Sequence, residues 1–158
     1  MVLVKSQHSS VIYITLLFAI LLMLVPLPDT LRYARPEWVA ITLIYWAMAL
    51  PQRVSIGVAW FTGLVMDVIT GGVLGIHAFA YALVIYLVGR LHLQIRQYPL
   101  WQQAVTIFSL VFLVHFIVMF NAPISFVWTN WMTVLTSTIV WPLVYAALRK
   151  IRRSFQVS

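Results

Sequence analysis

The chain has 158 residues, of which 63% are hydrophobic, ten are basic, three are acidic and none is cysteine. This composition, with a mean hydropathy of +1.00, excludes an ordinary soluble domain and predicts one integral membrane domain over residues 1–158. The lack of cysteine excludes disulfides, thiol catalysis and thiolate metal sites. The net charge of +7 does not indicate nucleic-acid binding, because the basic residues flank apolar runs and membrane topology explains them better.

Six apolar runs follow one another along the chain. A helix needs about 17 to 25 apolar residues to cross the ~30 Å hydrocarbon core of a bilayer. The first run ends in Leu-Val-Pro-Leu-Pro without a small-residue cleavage site, which predicts a retained span and not a signal peptide. The second and third runs are short and joined by a tight turn. We therefore predict an all-α bundle of six transmembrane helices over residues 11–27, 36–50, 54–70, 74–91, 101–120 and 126–148.

The distribution of basic residues predicts the orientation of this bundle. Six spans place both termini on one side, and that side then carries eight of the ten basic residues. The positive-inside rule consequently predicts a multi-pass protein of the bacterial inner membrane with cytoplasmic N- and C-termini. These eight residues are Lys5, Arg53, Arg90, Arg96, Arg149, Lys150, Arg152 and Arg153, whereas Arg32 and Arg35 lie on the opposite side.

The C-terminal basic cluster consists of Arg149, Lys150, Arg152 and Arg153. Near a membrane surface such residues attract anionic lipids by roughly 1 kcal/mol each. They are equally suited to an acidic cytoplasmic partner. Topology alone is the simplest interpretation of the cluster.

Charges also occur at membrane depth, in Arg35-Pro36-Glu37-Trp38 and at Asp67. A charge there costs several kcal/mol unless it is paired or solvated, so these residues are functional candidates. Glu37 and Asp67 each lie fifteen residues from Gln52, at the turn between the second and third spans, and should therefore be level in an antiparallel hairpin. We expect Arg35 to bridge the two carboxylates. Pro36 suits the first turn of the second span.

The third span carries a stripe of small residues around its acidic residue. Ala59, Gly63, Asp67 and Gly71 recur every fourth position, which lets a helix of this chain or of a partner approach closely. Gly71, Gly72 and Gly75 then form a flexible turn into the fourth span.

Three interpretations of the charged residues remain open. Carboxylates held close together can form a catalytic pair, and acidic residues in spans often serve ion or ligand transport. The third interpretation is a structural or partner-facing cluster of Arg35, Glu37 and Asp67. The sequence argues against catalysis, because it offers no nucleophile, no further acid–base group at an obvious distance and no metal-ligand spacing. The structural or partner-facing cluster is the favoured interpretation. His77 and His92 lie near span ends and need no special role, and His115 suits an interhelical hydrogen bond.

Several motifs occur together in a pattern typical of one family. They are R-P-E-W at residues 35–38, G-L-V-M-D-V-I-T-G-G-V-L-G at 63–75, L-I-Y-W-A-M-A-L-P-Q-R-V at 43–54, L-W-Q-Q at 100–103, and W-P at 141–142 followed by R-K at 149–150. Together they resemble the proteobacterial branch of the rod shape-determining protein MreD family. That family has an R-P-x-W-like start to one span and a G-L-x-x-D-x-x-x-G-x-x-L-G stretch in the next. The resemblance extends over essentially the whole chain.

The resemblance implies a non-enzymatic inner-membrane component of the cell-elongation complex, without a cofactor. It implies work with the bitopic protein MreC, MreB filaments, and the RodA glycosyltransferase with its penicillin-binding transpeptidase during lateral peptidoglycan synthesis. It also implies a six-helix bundle similar to the substrate-binding subunits of energy-coupling-factor vitamin transporters. Because a fold does not settle function, a small-molecule-binding transport subunit remains the alternative.

Overall fold

The computed structural model describes residues 9–121 and 131–157, in which seven α-helices and no strands occur. The predicted all-α class is therefore confirmed for this part of the chain. The start of the sixth predicted span, residues 126–130, lies outside the described residues. The helices are α1 (Ser10–Leu24), α2 (Asp29–Arg32), α3 (Trp38–Ala49), α4 (Ile56–Thr70), α5 (Ile76–Gln97), α6 (Leu100–Phe120) and α7 (Met132–Ser154).

The helix ends differ from the predicted spans for identifiable reasons. Helix α1 ends at Leu24, and not at residue 27, because Val25 precedes a proline and adopts ψ 121°. Helices α5 and α7 continue for six residues beyond the predicted residues 91 and 148, to Gln97 and Ser154. These extensions are rich in polar and basic residues, which end an apolar run without ending a helix. The short helix α2 was not predicted.

Among the described residues, three helices are long and apolar enough to cross a membrane, namely α5, α6 and α7, with 22, 21 and 23 residues. The other apolar helices, α1, α3 and α4, have 15, 12 and 15 residues. At about 1.5 Å per residue, the twelve residues of α3 reach only about 18 Å.

Helix α3 lies at the centre of the bundle and packs against α1, α5, α6 and α7. Eleven of its twelve residues are buried, as is typical of a helix that is apolar on every side. Two aromatic side chains connect it to its neighbours. The indole N–H of Trp46 donates to the hydroxyl of Thr15 on α1 at 2.9 Å. The ring of Tyr45 meets Tyr145 of α7 edge-on, with centroids 5.6 Å apart.

Helices α4 and α5 form a tightly packed hairpin. Ala59, Gly63 and Asp67 of the small-residue stripe are buried, and a Cβ added to Gly63 would lie 2.3 Å from the Cα of Ala78 on α5. The two backbones are therefore in direct contact at this point. The helix that packs on the stripe is α5 of the same chain. Gly71, at the end of the stripe, is exposed and ends α4 with φ 66°.

We predict that Gly63→Ala lowers the free energy of unfolding by about 1–3 kcal/mol, because backbone atoms of Ala78 block the added methyl group. Gly89→Ala in α5 is the matched control, since a Cβ there meets no atom within 4 Å. That control should be neutral or stabilising by up to about 1 kcal/mol. Thermal unfolding of the purified proteins in detergent measures both changes. Equal stability of the two variants would contradict the close α4–α5 contact.

Candidate functional site

The side chain of Asp67, in the last turn of α4, is completely buried and accepts hydrogen bonds from the start of α5. The backbone N–H of Gly75 donates to Oδ2 at 2.7 Å, and that of His77 donates to Oδ1 at 2.9 Å. The N–H of Ala78 makes a longer contact of 3.4 Å with Oδ2. The first N–H groups of a helix have no partner within the helix, and the helix dipole favours negative charge there. Asp67 therefore caps α5 from the neighbouring helix.

His77 completes this arrangement, which we call the Asp67 cap and define as Asp67 with Gly75, His77 and Ala78. The Nδ1 atom of His77 lies 2.8 Å from Oδ1 of Asp67, and its ring meets Tyr81 edge-on at 5.8 Å. The prediction that His77 needs no special role was wrong. The sequence signal for this role was the position of His77 two residues after Gly75, the glycine that immediately precedes α5.

The loop before α5 has the conformation that the Asp67 cap requires. Gly75 is the N-cap residue of α5 and has φ 101°, while Gly71 has φ 66°. Such left-handed conformations cost little only for glycine. No atom lies within 4 Å of a Cβ built on either residue, so the requirement for glycine is conformational and not spatial.

Arg35 does not form the predicted bridge. Its guanidinium donates to the backbone carbonyl oxygens of Met23 and Val25 at the C-terminal end of α1. The last carbonyl groups of a helix lack partners within it, and the negative end of the helix dipole attracts a cation. Arg35 therefore fastens the segment before α3 to α1, and a bridge from Arg35 to the carboxylates was the wrong expectation.

Glu37 is the N-cap residue of α3, and it is 9% exposed. Its backbone N–H donates to the hydroxyl of Ser137 on α7 at 2.9 Å, which in turn donates to the carbonyl oxygen of Thr133 at 2.6 Å. Its Oε2 atom and the hydroxyl of Tyr81 are buried without a hydrogen-bond partner among the described residues. Tyr81 lies within electrostatic range of both Glu37 and Asp67, so α5 brings the two acidic residues to one region.

The other candidates occupy less enclosed positions. Pro36 lies two residues before α3 and not in its first turn, and half-buried Trp38 begins the helix and packs on the core. Histidine, cysteine, aspartate and glutamate do not come together in groups of three that could hold a metal ion within residues 9–121 and 131–157. The C-terminal basic cluster lies on the last turns of α7, where Arg152 is within electrostatic range of Tyr45.

We predict that Asp67→Leu lowers the free energy of unfolding by at least about 3 kcal/mol, because the N–H groups of Gly75, His77 and Ala78 lose their acceptor. Asp67→Asn keeps one acceptor oxygen and should therefore lower the free energy of unfolding by a smaller amount. In chemical unfolding in mixed micelles, the wild type should therefore be the most stable, Asp67→Asn should be intermediate, and Asp67→Leu should be the least stable. A leucine variant as stable as the wild type would refute the cap.

We further predict that Arg35→Gln destabilises the protein by about 2 kcal/mol, because charge-assisted hydrogen bonds to two carbonyl oxygens are lost. Arg32→Gln is the charge-matched control, since Arg32 is exposed on α2. The control should change stability by less than about 0.5 kcal/mol. The same unfolding measurement applies, and equal effects of the two substitutions would show that net charge, and not the link to α1, matters.

Comparisons with known proteins agree with the motifs. The family model described as rod shape-determining protein MreD matches residues 5–151. A protein of Haemophilus influenzae, named rod shape-determining protein MreD, is 33% identical over 145 residues, in a match that covers 88% of this chain and 88% of that protein. No solved structure matches the chain. With a family match over nearly its whole length and this identity to a named member, the chain belongs to the MreD family of rod shape-determining proteins.

Proposed function

We propose that this protein is a non-enzymatic scaffold of the cell-elongation complex that helps to maintain rod shape during lateral peptidoglycan synthesis. The observation that carries the proposal is the MreD family match over residues 5–151, since membership of that family supports a role in rod shape determination. The contacts of the buried polar residues support the non-enzymatic part. The carboxylate of Asp67 already accepts hydrogen bonds from the start of α5, and the guanidinium of Arg35 already donates to carbonyl oxygens at the end of α1.

The proposed topology has six crossings, formed by α1, α3, α4, α5, α6 and α7, with both termini in the cytoplasm. The basic residues support this orientation, because Arg53, Arg90, Arg96 and the end of α7 then share the cytoplasmic side. The short length of α3 is compatible with a crossing, since eleven of its twelve residues are buried among other helices.

We propose MreC as the direct partner, and MreB, RodA and the elongation penicillin-binding protein as further members of the assembly. The proposal rests on family membership, which implies a role in a shape complex. It is also compatible with the character of the bundle. Its internal polar groups join helix to helix, as suits a protein that holds other membrane proteins in position.

A small-molecule-binding transport subunit, similar to those of energy-coupling-factor transporters, is the second candidate. One observation favours it. Two polar atoms, Oε2 of Glu37 and the hydroxyl of Tyr81, are buried without a partner among the described residues. A ligand that used them would raise the melting temperature in proportion to RT ln(1 + [L]/Kd).

The first experiment is depletion of the protein in its own host, followed by microscopy of cell shape. The scaffold proposal expects rods that round into swollen spheres before they lyse. Cells that stay rod-shaped but lose the uptake of one nutrient would contradict it and support the transport subunit.

Complementation with variants then connects the phenotype to the Asp67 cap. Asp67→Leu should insert into the membrane but fail to restore rods and should recover less MreC in co-purification, whereas Gly89→Ala should restore both. Normal shape and normal complex yield with Asp67→Leu would show that the cap does not serve this function.

A further inference from the structure

A cavity of about 610 Å³ lies between the start of α6 and the second half of α7. The residues of α7 that line it change from apolar to basic along the helix. Residues 142, 145, 146, 149, 150 and 153 recur at three- and four-residue intervals and so share one helix face. This face is apolar at Pro142 and Ala146 and basic at Arg149, Lys150 and Arg153. An amphiphile with an anionic head would match both parts of the wall.

No acidic side chain among the described residues is placed to neutralise these cations. The chain has three acidic residues, which are Asp29, Glu37 and Asp67, and the carboxylate of Asp67 is already bonded to the start of α5. Glu37 is bonded through its N–H to Ser137, and Arg149 lies twelve residues further along the same helix, about 18 Å away. The segment from α2 to α3 is tied to the start of α7 as well, through the bond of Thr133 to Tyr33, so Asp29 is also distant.

The individual basic residues differ in their availability. Arg152 is half-buried, within electrostatic range of Tyr45 in the bundle. Arg149, Lys150 and Arg153 are exposed and line the cavity, with the guanidinium of Arg149 6.0 Å from the centre of the Tyr145 ring. The N-terminal residue of α6, Leu100, lines it too, so the positive end of a 21-residue helix dipole adds to the field.

We propose that this cavity binds an anionic phospholipid, with the phosphate between Arg149, Lys150 and Arg153 and an acyl chain along Leu100, Pro142 and Ala146. The neighbouring side chains favour a lipid over a soluble anion or an acidic protein segment. Trp101 and Leu143, next to the apolar wall, are both strongly exposed, as is typical of residues that face the bilayer and its interface. Lipid binding at this cavity does not depend on which proteins the chain assembles with.

A second cavity extends the cationic surface around the end of α7. It measures about 430 Å³, shares Arg149 and Arg153 with the first, and is also lined by Arg152, Gln156 and Val157. Gln156 has φ 48°, and the N–H of Val157 returns to the carbonyl oxygen of Arg152, so the chain folds back over the helix end. The headgroup is therefore held on a surface that is already ordered.

The test is native mass spectrometry of the delipidated full-length protein, titrated with phosphatidylglycerol or with phosphatidylcholine of the same acyl chains. The wild type should bind phosphatidylglycerol preferentially. The double substitution Arg149→Gln/Arg153→Gln should weaken that binding by about tenfold or more, since each basic residue near the lipid contributes several-fold. The matched control, Arg90→Gln/Arg96→Gln, removes the same charge outside this cavity and should change binding less than about twofold.

Three results would overturn the proposal. Equal weakening by both double substitutions would show general charge attraction and no site. Displacement of phosphatidylglycerol by millimolar inorganic phosphate would identify a phosphate-ion site in place of a lipid site. Unchanged lipid binding by Arg149→Gln/Arg153→Gln, together with reduced recovery of protein partners, would assign the cluster to an acidic protein segment. The melting temperature of each lipid-free variant is measured as well, to establish that the variant is folded.

Discussion

The burial of one carboxylate is the constraint on which the hairpin of α4 and α5 depends. Asp67 has no exposed side-chain surface, so its charge requires donors from the protein, and the first N–H groups of α5 provide them. Two further features follow from this requirement. The loop between α4 and α5 has to adopt φ 101° at Gly75, and α4 and α5 have to be in contact at Gly63. The G-x-x-x-D and later glycine positions of the sequence are parts of one arrangement.

Comparable polar links join α1 and α7 to α3 or to the segment before it. Thr15 accepts from Trp46, Ser137 accepts from the N–H of Glu37, and Arg35 holds the end of α1. Within a bilayer, apolar surface provides little net drive for one helix to leave lipid for another. Close backbone contact and interhelical hydrogen bonds then contribute most to specificity. The bundle therefore has defined helix positions, which is the property that a scaffold for other membrane proteins requires.

Charge in this protein is separated along the bundle. The two buried acidic residues, Glu37 and Asp67, lie at the start of α3 and in the Asp67 cap, whereas exposed cations gather at the end of α7. The first group is enclosed within the bundle, and the second group faces outward. This separation assigns the two groups different roles, the first in holding the helices together and the second in the anionic-lipid binding that we propose.

The sequence by itself determined the all-α class, the apolar helices, the close-packing stripe at Ala59 and Gly63, and the place of Asp67 on that stripe, because these depend on local composition and helical periodicity. The partners of the charged residues were decided only by the tertiary structure. Any helix end offers unpaired carbonyl groups, so nothing local indicated that Arg35 would bind those of Met23 and Val25. The pairing of His77 with Asp67 likewise depends on a loop of glycines whose left-handed conformations set the start of α5, and hydrogen bonds across such a turn follow from three-dimensional closure and not from periodicity.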